Sequence, residues 1–421
     1  MASLTENQPV PRGHSARGVL FFFLAIALLI AGFGGGVITM WFVGPQVRQA
    51  AEAFFPALRA QTEKQQALEE RIDILRQAWA ILDREFIAPE KLDPDKMIHG
   101  AAAGMVSALG DPHTMFVEPV SAAIMDEDMQ GSFEGIGATV EMVEGKLTIV
   151  RPLPNSPAYH AGLLAGDIIL AVDDEPLEGK TLMEAIRLIR GPAGTVVRLL
   201  VQRKGVAEPF LVTVTRAKVE LPNYEAKMLD GQVAYLQLSE FNAIAPQQVH
   251  SALRDLLAQN PVGLILDLRD NPGGYLHVAV QVASEFLPLN TVVLQEAQRD
   301  QPIQVYRVRT KGLATEIPLV VLVNGGSASA SEIVAGAIQE AKRGTLIGTK
   351  TYGKGSVQNT HTLSDGSSLR VTIAKWLLPS GRGLDGDGLV PDIEVPFTLD
   401  DAAAHRDPQL ERAVAFLLHQ E

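Results

Sequence analysis

The chain has 421 residues, 47% hydrophobic and 20% charged, which excludes wholesale disorder and collagen-like repeats and leaves room for two or more domains. Lys and Arg number 36 against 49 Asp and Glu, a formal charge of -13, and no basic run stands out, so the expected partners do not include nucleic acid. Cysteine is absent, which removes disulfides, thiolate metal sites and a cysteine nucleophile.

Residues 18–47 carry no charge, and 19–43 are almost wholly apolar. About 20 helical residues cross the ~30 Å hydrocarbon layer, so this stretch is long enough to span it. Arg12 and Arg17 precede it and only Arg48 follows closely, which predicts a cytoplasmic amino terminus with the rest of the chain outside. The rival is a cleaved signal peptide, but no A-x-A-like site stands at the right place. Gly32 and Gly36 make a weak G-x-x-x-G signal for paired anchors. The expected order is a cytoplasmic tail (1–17), a single transmembrane anchor (18–43) and a helical region (44–130). Within that region Leu68, Ile72, Leu75, Trp79 and Leu82 recur at helical spacing over roughly 45–86. Gly110-Asp111-Pro112 then breaks the chain.

Residues 131–216 read as a separate small module, with strands at 146–150, 168–172, 196–202 and 210–215 and a helix near 182–190. Its words Ser156-Pro157-Ala158, Ala161-Gly162-Leu163 and Gly166-Asp167-Ile168-Ile169 resemble a PDZ domain. Gly135, Ile136, Gly137 and Ala138 stand where such domains carry a carboxylate-binding loop, whose backbone N–H groups form a nest for a peptide terminus. A tight turn is the bland alternative for those four residues.

From 217 to 400 apolar strands at 233–238, 263–268, 319–323 and 346–348 alternate with helices at 246–258, 277–286 and 331–341. This predicts an α/β body whose sheet is covered on both faces. The fold class is therefore mixed α/β, and the end of the chain (401–421) reads as an amphipathic helix with Leu410, Val414 and Leu417 on one face.

Three spots in this body combine reactive side chains with specialised backbone. Ser327, Ser329 and Ser331 sit at a strand-to-helix turn, where helix N–H groups favour a developing negative charge. Ser329 to Glu332 also has capping-box spacing, so Ser329 as a mere cap is the alternative. Gly348 to Gly355 nearly spells a P-loop, but Gly355 replaces the magnesium-binding hydroxyl and the following residues look extended. A lysine in that glycine turn can serve instead as a general base if burial lowers its pKa. The third spot, Asp267 to Tyr275, contains Pro272-Gly273-Gly274, a sharp turn that can aim a backbone N–H into a cleft. Asp385 and Asp387 lack the remaining ligands of a calcium loop, so no metal is expected.

Together these words resemble the carboxyl-terminal processing (tail-specific) proteases. The likeness includes Gly110 to Thr114, the PDZ words, Leu268-Arg269-Asp270-Asn271-Pro272-Gly273-Gly274, Ser327 to Ile333, Tyr352-Gly353-Lys354-Gly355 and Gly388 to Ile393. The resemblance implies a serine endopeptidase with Ser329 as nucleophile, Lys354 as base rather than Lys350, and Gln358 orienting the lysine. It also implies oxyanion donors from Ala330 and from Gly273 or Gly274, and no cofactor. Implied partners are protein substrates with apolar carboxyl-terminal tails, the inner membrane through a single-pass anchor, and a second copy or an adaptor. The catalytic part is expected on the periplasmic side. His113 stands where relatives carry an aromatic residue and is read as structural. A Ser-His-Asp hydrolase using His277 or His361, and a non-catalytic PDZ scaffold, are the rivals.

Overall fold

The computed structural model describes residues 56–419 apart from residue 222. The expected anchor at 18–43 lies outside the described residues, and no described helix is long and apolar enough to cross a membrane. The described residues fall into two units that divide between Pro94 and Asp95. In the first, the helical spacing yields one long helix, α1 (Pro56–Glu85), and a 3-10 turn at Pro89–Lys91.

Helix α2 (Pro94–Ser107) begins at the division, and the second unit continues with a short strand β1 (Met115–Val117) and α3 (Pro119–Met129). Strand β2 (Ser132–Gly135) then leads into an inserted module. It holds β3 (Ala138–Val143), β4 (Lys146–Pro152), α4 (Pro157–His160), β5 (Ile168–Val172), β6 (Glu175–Pro176), α5 (Leu182–Ile189), β7 (Val196–Gln202) and β8 (Phe210–Thr215). Strand β9 (Ala217–Glu220) leads out and pairs antiparallel with β2, so the two ends of the insertion are clamped together. The module's strands run in the order β3-β4-β5-β7-β8 around a core including Leu147, Ile149, Ile169, Leu199 and Val201. Strand β3, which sequence periodicity does not reveal, is an edge with one side unpaired. A capping box between Thr181 and Glu184 starts α5. At its other end Arg190 pairs with Glu127 at 2.6 Å and Asp128 at 2.9 Å and lies over the Phe133 ring, which ties the module to α3.

The body follows: β10 (Tyr224–Leu229), β11 (Val233–Leu238), α6 (Ala245–Leu257), β12 (Gly263–Asp267), α7 (Leu276–Ser284), β13 (Val292–Gln298), β14 (Gln304–Arg307), β15 (Leu319–Val323), α8 (Ala330–Glu340), β16 (Thr345–Gly348), β17 (Ser356–Thr362), β18 (Ser368–Leu377), β19 (Ile393–Glu394), α9 (Leu399–Ala403) and α10 (Pro408–His419). Its six-stranded sheet runs β10-β11-β12-β15-β16-β19, parallel except for the first pair. Leu264, Leu266, Val321 and Val323 pack in one cluster with residues of α6, α7 and α8. Tyr235, Ile265, Val320 and Leu322 pack in another with Ala413 and Leu417 of α10. Burial on both faces is why these strands read as continuous apolar runs.

Two features depart from the sequence reading. A second, antiparallel sheet (β1-β18-β13-β14, with β17 on β18) stands beside the first; its polar, exposed residues hide the strand pattern. The expected single terminal helix is broken into α9 and α10. Thr398 and Asp401 cap the first, and Pro408 begins the second.

Candidate active site

Strand β15 ends at Val323 and α8 begins at Ala330, so the three serines occupy the connecting turn and the first helical residues. Ser327 is buried and donates to the Leu268 carbonyl at 2.7 Å, and Ser331 is buried and donates to the Asn271 carbonyl at 2.8 Å. Both hydroxyls are thus spent on holding the Asp267–Tyr275 segment beside the turn. Ser329 is half-buried and lines a cleft of about 620 Å³. It is the helix N-cap, and its backbone (φ 54, ψ -112) lies where a residue with a side chain is strained, as functional turns often are. The cap reading and the nucleophile reading of this position are therefore compatible.

The glycine loop following β16 runs into a strand rather than a helix, which removes the phosphate-binding alternative. Its conformation is set by two carboxylates. Fully buried Glu332 accepts from the Thr351 hydroxyl (2.6 Å), Gly353 N–H (2.7 Å), Lys354 N–H (3.0 Å) and Ser329 N–H (2.9 Å). One side chain thereby fastens the serine turn to the lysine loop. Asp385 accepts from Gly355 N–H at 3.0 Å and pairs with Lys375 at 3.2 Å, a supporting role that its turn-like sequence did not suggest. Lys350 is exposed and lies outside the cleft lining, whereas Lys354 is half-buried and lines it. Burial pushes the Lys354 amine below its ordinary value, and the nearby Arg370 charge pushes the same way, against attraction from Asp111 and Glu332. The amine forms no hydrogen bond among the described residues. Gln358 also lines the cleft, and its amide donates to Ser356 Oγ at 2.9 Å.

The Pro-Gly-Gly turn separates the two glycines by role. Gly273 (φ 107) leaves no room for a side chain: a Cβ there would lie 2.8 Å from Ser329 Cβ and 2.9 Å from Ala330 N. Its own N–H is taken by Asn271 Oδ1 at 2.9 Å. Gly274 is held through Phe241, which receives the Tyr275 N–H at 2.9 Å, and its own N–H meets no acceptor among the described residues. Behind the turn, buried Asp267 accepts from Tyr235 Oη (2.9 Å) and Arg269 (2.6 Å), and Arg269 reaches on to Asp407, just before α10, and to Gln409 of α10. This network braces the end of β12.

Among the described histidines, His113 lines the cleft, while His277 and His361 are exposed and do not. His113 is thus part of the cleft wall, beyond the structural role expected for it. In the inserted module Gly135 belongs to β2, and Ile136 and Gly137 (φ 74) turn the chain into β3, which begins at Ala138. A Cβ at Gly137 would lie 2.5 Å from Ser156 Cβ, so this turn requires glycine. The four residues lead directly into the unpaired edge strand. Among the described residues no cluster of His, Cys, Asp or Glu could hold a metal ion.

Residues 232–395 match the family model of peptidase family S41, 148–203 match a PDZ domain, and 29–119 match the activating protease CtpB N-terminal domain. The chain is 38% identical over 315 residues to a carboxy-terminal-processing protease of Bartonella bacilliformis, covering 73% of this chain and 72% of the relative. It is 32% identical over 376 residues to the carboxy-terminal processing protease CtpB of Bacillus subtilis, covering 88% and 77%. A solved photosystem II D1 C-terminal processing protease is 29% identical, covering 76% of this chain and 92% of that one, with a TM-score of 0.45. With its PDZ domain and S41 body, the chain belongs to the carboxy-terminal processing serine proteases.

Proposed function

We propose that this protease is an endopeptidase working through Ser329 and Lys354. The neutral Lys354 amine takes the Ser329 proton as Oγ attacks a peptide carbonyl carbon, and the N–H groups of Gly274 and Ala330 receive the oxyanion. The resulting ammonium returns its proton to the leaving amine as the C–N bond breaks. Water then releases the acyl group by the reverse proton path. Gln358, which lines the same cleft, would orient the lysine. The observation carrying this reading is the Glu332 carboxylate, which gathers Ser329 and Lys354 from separate segments into one cleft.

In the same reading, the PDZ domain holds the apolar carboxyl terminus of a protein substrate as an added strand on β3, its carboxylate at the Gly135–Ala138 loop. The uncharged run at 19–43, with Arg12 and Arg17 before it, supports a single inner-membrane anchor and cleavage outside the cytoplasm. The test is incubation of the full-length chain with an unfolded protein ending in an apolar tail. The unaltered chain cleaves it, while Ser329→Ala and Lys354→Ala bind without cleaving. Equal cleavage by all three removes the proposed dyad.

A further inference from the structure

We propose that Arg370 is a specificity residue that receives the carboxylate of an acidic substrate side chain close to the scissile bond, an inference that rests on the proteolytic reading above. Strands β17 and β18 form a hairpin in which Gln358 faces Thr372, Thr360 faces Arg370, and Thr362 faces Ser368. Alternate residues of a strand share a face, so Arg370 and Gln358 belong to the same side of this hairpin. On the other edge of β18, Arg370 is paired with Met115 of β1. Ser329, Lys354, Gln358, Thr360, Met115 and Arg370 all line the one cleft.

Within that cleft the guanidinium forms no ion pair among the described residues, and its Nε is shut off from solvent with no hydrogen-bond acceptor there. Five other arginines that are buried or half-buried in this unit do find partners. Arg190, Arg203 and Arg269 spend their donors on carboxylates, and Arg216 and Arg343 on main-chain carbonyls. Nε is out of reach of an entering group, but the terminal Nη1 and Nη2 lie on the cleft side without a carboxylate partner among the described residues, so a substrate anion meets the guanidinium through them. The planar fork of a guanidinium fits a carboxylate through two parallel bonds. A half-buried positive charge is also better compensated by an anion than by a neutral carbonyl. The cleft's own acids, Asp126 and Glu240, form no ion pair with Arg370 among the described residues. The charge is felt at the reaction centre, since it disfavours protonation of Lys354. The acceptor therefore belongs to the part of the substrate lying across Ser329, rather than to the tail held by the PDZ domain.

The experiment uses the full-length chain and peptides with one apolar tail, carrying Glu or its isostere Gln at each of three positions on either side of the cleaved bond. At one position the unaltered protein cleaves the Glu peptide roughly ten- to a hundred-fold better in kcat/KM than the Gln peptide. Arg370→Gln brings that ratio close to one, whatever happens to the absolute rates, and Arg370→Lys keeps part of it. Should Arg370→Gln not fold, the comparison rests on Arg370→Lys and on the ratio in the unaltered protein. A flat ratio at every position overturns the proposal, as does a ratio that survives in Arg370→Gln. Ser329→Ala run beside them separates the two readings. Cleavage that persists there refutes the dyad, whereas Ser329-dependent cleavage with flat ratios refutes only the role of Arg370.

Discussion

Glu332→Gln is the sharpest test of how the site is assembled, because the change is nearly isosteric. Oε1 of Glu332 accepts from the Thr351 hydroxyl and Gly353 N–H, while Oε2 accepts from the N–H groups of Ser329 and Lys354. A carboxylate can serve all four donors; an amide cannot. If the new NH2 takes the Oε2 place, two main-chain donors are stranded in a fully buried position. If it takes the Oε1 place, Gly353 N–H is stranded and the Thr351 hydroxyl must turn away. At roughly 1–3 kcal/mol for each buried donor left unmade, the cheaper arrangement costs about 2–4 kcal/mol. Thermal unfolding should fall by several degrees, and kcat should drop at least tenfold as the serine turn and lysine loop separate. The pH profile reads the electrostatic part of the role separately, while the losses in stability and kcat read the joining part. The Glu332 charge favours the Lys354 ammonium, so its removal moves the midpoint of the kcat/KM profile to lower pH, towards easier deprotonation. A variant with an unchanged midpoint, stability and rate would refute the claim that this carboxylate joins the two halves of the site.

Two further outcomes follow from the same geometry. Activity should rise with pH on a single ionisation below the ordinary lysine value, because burial depresses the Lys354 amine and only its neutral form accepts a proton. A kcat/KM profile that falls through that range would contradict the assignment. Gly273→Ala should cost roughly 10²–10³ in turnover, since its Cβ would press on Ser329 and crowd the Ala330 N–H that receives the oxyanion. The same substitution also meets strain at φ 107, so its thermal unfolding should be measured alongside.

Much of this was legible in the residue order. Periodicity located the long helix of the first unit, and continuous apolar runs located the parallel strands covered on both faces. Compact words identified the PDZ module and the turns carrying Ser329 and Lys354. These are local signals: side-chain spacing, glycine where φ is positive, and a hydroxyl before a helix. The antiparallel sheet was less visible because its strands carry polar residues on exposed faces, so no clean alternation marks them.

The choice among equivalent atoms was made only by the fold. Three serines share one turn, and sequence cannot rank them by geometry. The strand-end segment holding Leu268 and Asn271 consumes two hydroxyls and leaves the third facing the cleft. Two glycines adjoin each other, and Asn271 engages the N–H of Gly273 while that of Gly274 stays open. Glu332 could be read as a helix cap, but its bonds to Gly353 and Lys354 exist only because β15 and β16 lie side by side. Residue order thus determined which chemical groups and local turns this protein possesses. Whether a given donor or acceptor is satisfied or free for substrate depends on neighbours brought from distant segments, and tertiary structure alone decided that.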